Sequence, residues 1–300
     1  MFQQLKAWLL RRYYRIISAR SWRGHSSDIH WGGLSIPSPA GPIHGRLYNA
    51  GGGADKPLIV FFHGGGWVLG GLETHHPFCL ELSDKTSCTV IAVDYRLAPE
   101  HVFPAAAEDC LAAVNWIAGH LNDFGPCNGK LVIAGDSAGG NLAASACLAL
   151  NETVRAQVAG ALLIYPAVDD YAAEHASYTE HAKSQPLTAD LMRWFWDTYL
   201  GQLGKQAASS QGAFPLQADN IDHLPATLLV TAEADPLRDE GIAFAEKLRA
   251  AGVAVNYRHF EQAAHGFASS SGPNADHKAL MSMIAGWIEA GLIAGKDTER

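Results

Sequence analysis

The chain has 300 residues, enough for one large α/β domain or a core with a small cap. Its 48% hydrophobic and 17% charged content exclude a disordered or fibrous chain, and a net charge of −8 argues against nucleic acid as a partner. No apolar run approaches the roughly 20 residues of a membrane-spanning helix, and the five cysteines contain no C-x-x-C pair, which points to reduced thiols in a cytoplasmic protein rather than to a zinc or redox site.

Residues 1–27 carry Lys6, Arg11, Arg12, Arg15, Arg20 and Arg23 and no acid, while Phe2, Leu5, Leu9, Tyr13 and Ile16 recur at helical spacing. This reads as a basic amphipathic helix and as a poor secretory signal, because arginines follow its short apolar run. A cap helix folded back over the domain is the simplest reading; a membrane-surface helix and a targeting segment stay open. From Ile29 to Ala50, alternating residues around Pro37-Ser38-Pro39-Ala40-Gly41 predict an antiparallel hairpin at a sheet edge. Short apolar runs then predict strands over Leu58–Phe62, Cys88–Val93, Lys130–Ala134, Val158–Ile164, Ala226–Thr231 and Val253–Phe260. Amphipathic runs predict helices over Ala105–His120, Ser137–Leu150, Arg238–Ala250 and His277–Ile293. Continuous apolar strands are buried on both faces, so the fold class is α/β, with a mainly parallel central sheet flanked by helices. The rhythm breaks between Asp169 and Leu224, where an insertion with an aromatic run (Leu191–Leu200) suggests a small helical cap. The expected division is a core of residues 46–170 and 216–300, with residues 1–45 and 171–215 forming the cap region.

The chemistry centres on Gly135-Asp136-Ser137-Ala138-Gly139, which joins a predicted strand to a predicted helix. A serine on so sharp a turn projects its hydroxyl above the sheet; the competing reading is an ordinary helix N-cap. Such a nucleophile needs a base oriented by an acid, each on a loop after a strand, in the order serine, acid, histidine. His265 fits, following the strand Val253–Phe260 across Glu261–Ala264. Asp235 fits as the acid, directly after the strand that begins at Ala226. Asp239 is the rival, a turn into the next helix, and Asp235 could instead serve as that helix's cap. His63-Gly64-Gly65-Gly66-Trp67 follows the strand Leu58–Phe62. Its glycines can turn backbone N–H groups toward a carbonyl oxygen, so Gly64, Gly65 and Ala138 are the expected oxyanion donors. No G-K-[ST] follows, which removes a nucleotide-phosphate loop, and no cofactor is expected. His63 is expected to brace the loop. His75-His76 is discounted as a metal pair, since neighbouring residues do not share a helix face, and no metal is expected. Trp67, Trp194 and Phe195 stand as substrate-binding candidates, although Trp194-Phe195-Trp196 reads equally well as cap core.

Five motifs in order carry a family resemblance: His63–Trp67; Asp94-Tyr95-Arg96-Leu97-Ala98-Pro99-Glu100-His101 with Phe103–Ala106; Gly135–Asn141; Asp235-Pro236-Leu237-Arg238-Asp239-Glu240-Gly241; and His265-Gly266-Phe267. Together they resemble the hormone-sensitive lipase-like (bacterial family IV) carboxylesterases of the α/β-hydrolase superfamily. The resemblance implies a triad of Ser137, Asp235 and His265, and a cap built from N-terminal helices plus an insertion after the sixth strand. It further implies hydrolysis of short- to medium-chain acyl esters through an acyl-serine intermediate. An amide or formamide hydrolase, or a non-catalytic small-molecule-binding member of the fold, is the alternative. The expected partner is a small-molecule ester. Neither nucleic acid nor membrane contact is expected, the basic helix being the reservation on the latter, and a homodimer stays open.

Overall fold

The computed structural model describes residues 2–24, 27–49, 51, 53–202, 212–269 and 272–292. An N-terminal helix α1 (Phe2–Ser21) precedes a hairpin of β1 (His30–Ile36) and β2 (Ile43–Asn49), paired antiparallel with Ile36 opposite Ile43. The strands β3 (Leu58–Phe62), β4 (Val90–Asp94), β5 (Leu131–Asp136), β6 (Val158–Ile164), β7 (Ala226–Ala234) and β8 (Val255–Ala264) follow. They join the hairpin in one eight-stranded sheet of order β1-β2-β4-β3-β5-β6-β7-β8. β2 runs antiparallel to β4, and all pairings from β4 to β8 are parallel.

The period-2 alternation of strand side chains divides the core between the two faces of the sheet. Leu58, Val60, Phe62, Leu131 and Ile133 pack in one cluster with residues of α3 (Ala105–Ala118), α4 (Ala138–Ala149) and α8 (Arg238–Ala250). Ile59, Phe61, Val132 and Ala134 pack in the other, with residues of α2 (His76–Thr86) and α9 (Ala275–Glu289). Both faces are thus buried, as continuous apolar strands require. Among the described residues, the connection from β6 to β7 carries the cap helices α6 (Ser177–Glu180) and α7 (Ala189–Leu200), the latter capped by the Thr188 hydroxyl on the Leu191 N–H. A short helix α5 (Glu152–Arg155) precedes β6.

Three features differ from the sequence reading. Residues 30–45, grouped there with the cap, belong to the sheet as the edge hairpin expected over Ile29–Ala50, with Ile36 and Ile43 buried. Helix α2 was not anticipated; Pro77 opens it, and its apolar side chains are too interrupted by polar ones to give a clear period. Strand β8 runs on to Ala264, since β7 and β8 shift register after Ala232 and pair again at Ala234 and Ala264, so no separate loop precedes His265. Part of the cap expected over 171–215, residues 203–211, lies outside the described residues.

Candidate active site

Ser137 sits between the last residue of β5 and the first of α4, with φ 56° and ψ −119°, a left-handed conformation that costs a non-glycine residue energy. The turn closes only because its flanks lack side chains. A Cβ on Gly139 would lie 2.0 Å from the Phe62 carbonyl oxygen, and one on Gly135 would lie 2.2 Å from that of Gly139. The hydroxyl makes no capping bond to α4, which disposes of the N-cap reading. It lies instead 3.0 Å from His265 Nε2.

His265 follows directly on β8, and its Nδ1 lies 2.7 Å from Asp235 Oδ2. Asp235, at the end of β7, is fully buried, and its other oxygen accepts the Leu237 N–H at 2.9 Å. With Nδ1 protonated, the imidazole donates to the carboxylate and offers Nε2 as acceptor to the serine hydroxyl. Three strand ends thus bring Ser137, His265 and Asp235 into one hydrogen-bonded line. Asp239 is not in it: its carboxylate accepts the Ser177 N–H at 2.8 Å and binds Arg238. The next residue, Glu240, accepts the Val168 N–H at 2.7 Å. The Asp235–Gly241 run therefore places the acid and fastens both the start of the insertion and α6 to α8.

The glycine loop after β3 approaches the same point, with one correction. The Gly64 N–H is already donated to Asp136 Oδ1 at 2.7 Å, so it is no oxyanion donor. Gly65, Gly66 and Ala138 donate their N–H groups to no acceptor among the described residues. Gly65 and Gly66 adopt positive φ, and a Cβ on Gly66 would lie 2.2 Å from the Phe195 ring. Asp136 also accepts from Ser269 Oγ at 2.7 Å and faces His75 Nε2 at 3.3 Å. Burial alone would raise its pKa, but His75 and these donors outweigh that and hold the carboxyl below the usual range. His63 braces the loop: its ring stacks on Tyr95, whose hydroxyl donates to the His63 carbonyl at 2.6 Å. Burial, with His75 beside it, pushes the His63 imidazole down to about 3, so it is neutral and donates Nδ1–H to the Gly64 carbonyl at 2.9 Å. The Ala98 N–H bonds to the Trp67 carbonyl at 2.9 Å, so the Asp94–His101 segment supports the loop.

The aromatic candidates separate. Trp67 is fully buried, stacked on Tyr199 with ring centroids 4.5 Å apart and packed on Trp196 at 4.1 Å. It is thus core between loop and cap, which corrects its substrate-binding assignment. Trp194 is half-buried on α1, with Nε1 donating to Gln3 Oε1 and Lys6 over its ring at 4.0 Å. Phe195 alone of the three lies against the oxyanion loop. Sequence reasoning missed Asp136, His75 and Ser269 as supports, since their bonds join segments distant along the chain.

A mostly parallel sheet with a serine elbow after β5, an acid after β7 and a histidine after β8 defines the α/β-hydrolase class. Comparison with known proteins agrees: the family model described as alpha/beta hydrolase fold matches residues 59–269, and the chain belongs to that family. It is 41% identical to carboxylic ester hydrolase LipN of Mycobacterium tuberculosis over 78% of this chain and 63% of that protein's length. It is 36% identical to esterase LipI of the same organism, over 84% of this chain and 80% of LipI. An esterase structure from Pyrobaculum calidifontis superposes with a TM-score of 0.88 at 36% identity, covering 96% of this chain and 94% of that one. The resemblance to hormone-sensitive lipase-like esterases, drawn from the motifs, is upheld.

Proposed function

We propose that this protein is a serine carboxylesterase acting on short- to medium-chain acyl esters, with Ser137, His265 and Asp235 as its triad. The observation that carries this is the unbroken line from Ser137 Oγ through His265 to Asp235, at 3.0 and 2.7 Å. In this mechanism Ser137 Oγ attacks the ester carbonyl while His265 Nε2 takes its proton. Asp235 holds the ring in the required tautomer and stabilises the imidazolium. The N–H groups of Gly65, Gly66 and Ala138 bind the oxyanion as the tetrahedral intermediate forms. The intermediate collapses, His265 returns the proton to the leaving alcohol, and the acyl group stays on Ser137. Water, deprotonated by the same imidazole, then attacks the acyl-serine; the acid leaves and Ser137 regains its proton.

Phe195, packed on Gly66, is the residue we assign to the acyl side of the site. The names of the relatives favour esters over amides, and a binding module would need neither the aligned triad nor the strained serine. No helix among the described residues is long and apolar enough to cross a membrane. The five free cysteines, four of them buried, support a reducing, cytoplasmic setting.

The test is hydrolysis of p-nitrophenyl esters from acetate to palmitate by the wild type and by Ser137→Ala. Rates that peak at short or medium chains and vanish in the variant are expected. A folded wild type with no ester turnover would overturn the reading.

A further inference from the structure

Helix α1 is docked by the face opposite to the one its sequence marks as apolar. Its inward side packs Leu10 and Tyr14 against the core and is further tied by hydrogen bonds. Ala7 is buried, Arg11 donates to the Val68 and Ala98 carbonyls at 2.7 and 2.9 Å and binds both oxygens of Glu100, and Ser18 Oγ donates to the Thr74 carbonyl at 2.7 Å. Just beyond the helix, Trp22 Nε1 donates to the Ser269 carbonyl at 2.8 Å. The periodic apolar residues Leu5, Trp8, Leu9, Tyr13 and Ile16 face outward and are 44–63% exposed. At 1.5 Å per residue they form a stripe roughly 16 Å long. A surface helix in a globular protein ordinarily buries such a stripe.

We propose that this outward face is a seat for an anionic lipid surface. Charge selects that occupant. Residues 1–27 hold six of the chain's 22 cations and none of its 30 acids, and Arg12, Arg15 and Arg20 are exposed beside the stripe. Aromatic and aliphatic side chains on one face, flanked by arginines that can reach headgroups, are the composition of a helix lying in a membrane interface. A second copy pairing α1 against α1 would instead set arginine against arginine. The remainder of the protein is acidic, so an anionic surface repels it and admits only the orientation with α1 inward. Gln3 and Lys6 of α1 touch Trp194 of α7, so that orientation brings the cap close to the lipid. The proposal does not rest on the esterase assignment, and its test reads binding.

The full chain is sedimented with vesicles of phosphatidylcholine alone and of phosphatidylcholine with an equal part of phosphatidylglycerol. Binding to the anionic vesicles, weakened by about 0.5 M salt, is expected. Leu9→Glu with Tyr13→Glu should cut that binding at least about tenfold while keeping the wild-type melting temperature. Failure to bind anionic vesicles, or equal binding by the variant, would overturn the proposal. So would a dimer in sedimentation velocity that the double substitution dissolves, since a second copy would then be the occupant.

Discussion

The Gly64 N–H donates at 2.7 Å to the carboxylate of Asp136, joining the oxyanion loop to the residue beside the nucleophile. The other Asp136 oxygen is held by Ser269, four residues past His265, so one buried carboxylate ties together segments that carry three parts of the site. Asp136→Ala leaves the buried Gly64 amide without a partner and the Ser269 hydroxyl with only that of Tyr165. It should cost about 1–3 kcal/mol of stability, and kcat should fall more than KM changes. Thermal melting and ester kinetics check this. Asp136→Asn, which keeps an acceptor for Gly64, should lie between the alanine variant and the wild type.

The two aspartates of the Asp235–Gly241 run should behave differently. Ser137→Ala is expected to lower kcat by about 10⁶, and Asp235→Asn by about 10⁴, through the wrong imidazole tautomer. Asp239→Asn should stay within about tenfold of the wild type in kcat and melt at lower temperature, because it weakens a cap anchor at Ser177. An Asp239→Asn enzyme as impaired as Asp235→Asn would reverse the assignment of the acid.

Trp67→Ala empties a stacked core position and should cost about 3–5 kcal/mol while leaving acyl-chain preference unchanged. Phe195→Ala removes the ring that covers Gly66 and should move the preferred p-nitrophenyl ester toward longer chains. Melting curves and specificity profiles of the two variants distinguish these outcomes.

Glu240 is fully buried, and burial pushes its carboxyl well above the ordinary range. An acid whose pKa is raised on folding contributes its full stability below the unfolded pKa, and that stability is lost as pH rises toward the folded value. Glu240→Gln keeps an oxygen for the Val168 N–H and has no charge to bury. The variant's stability relative to wild type should therefore grow as pH rises above the ordinary carboxylate range, which melting temperatures across a pH series would measure. A relative stability that stays flat or falls with pH would contradict the buried neutral acid.

Much of this architecture is legible in the sequence because it depends on local pattern. Each triad residue follows an apolar run, and the elbow glycines announce a turn that no side chain fits. What was misread depends on contacts between distant segments. Gly64 and Gly65 look alike as text, and only the approach of Asp136, 72 residues on, assigns the first to structure rather than to catalysis. Trp67 beside a run of glycines gives no sign that Tyr199 and Trp196 will enclose it. The periodicity of α1 predicts a helix correctly, yet it cannot tell that Ala7, Leu10 and Tyr14, with hydrogen bonds from Arg11 and Ser18, would form its inner face.

The bonds that seat α1 run to Val68, Ala98 and Thr74, and the Trp22 bond reaches Ser269, 247 residues along the chain. During synthesis this helix is made before any of its acceptors, and its last fastening, at Ser269, waits for 247 more residues. Until Val68, Thr74 and Ala98 follow, Arg11 and Ser18 have no carbonyls to hold, which leaves the nascent helix open to chaperones and proteases. Shortened products that end before Ser269 should therefore keep the carbonyls that hold Arg11 and Ser18 and lack only the Trp22 clamp.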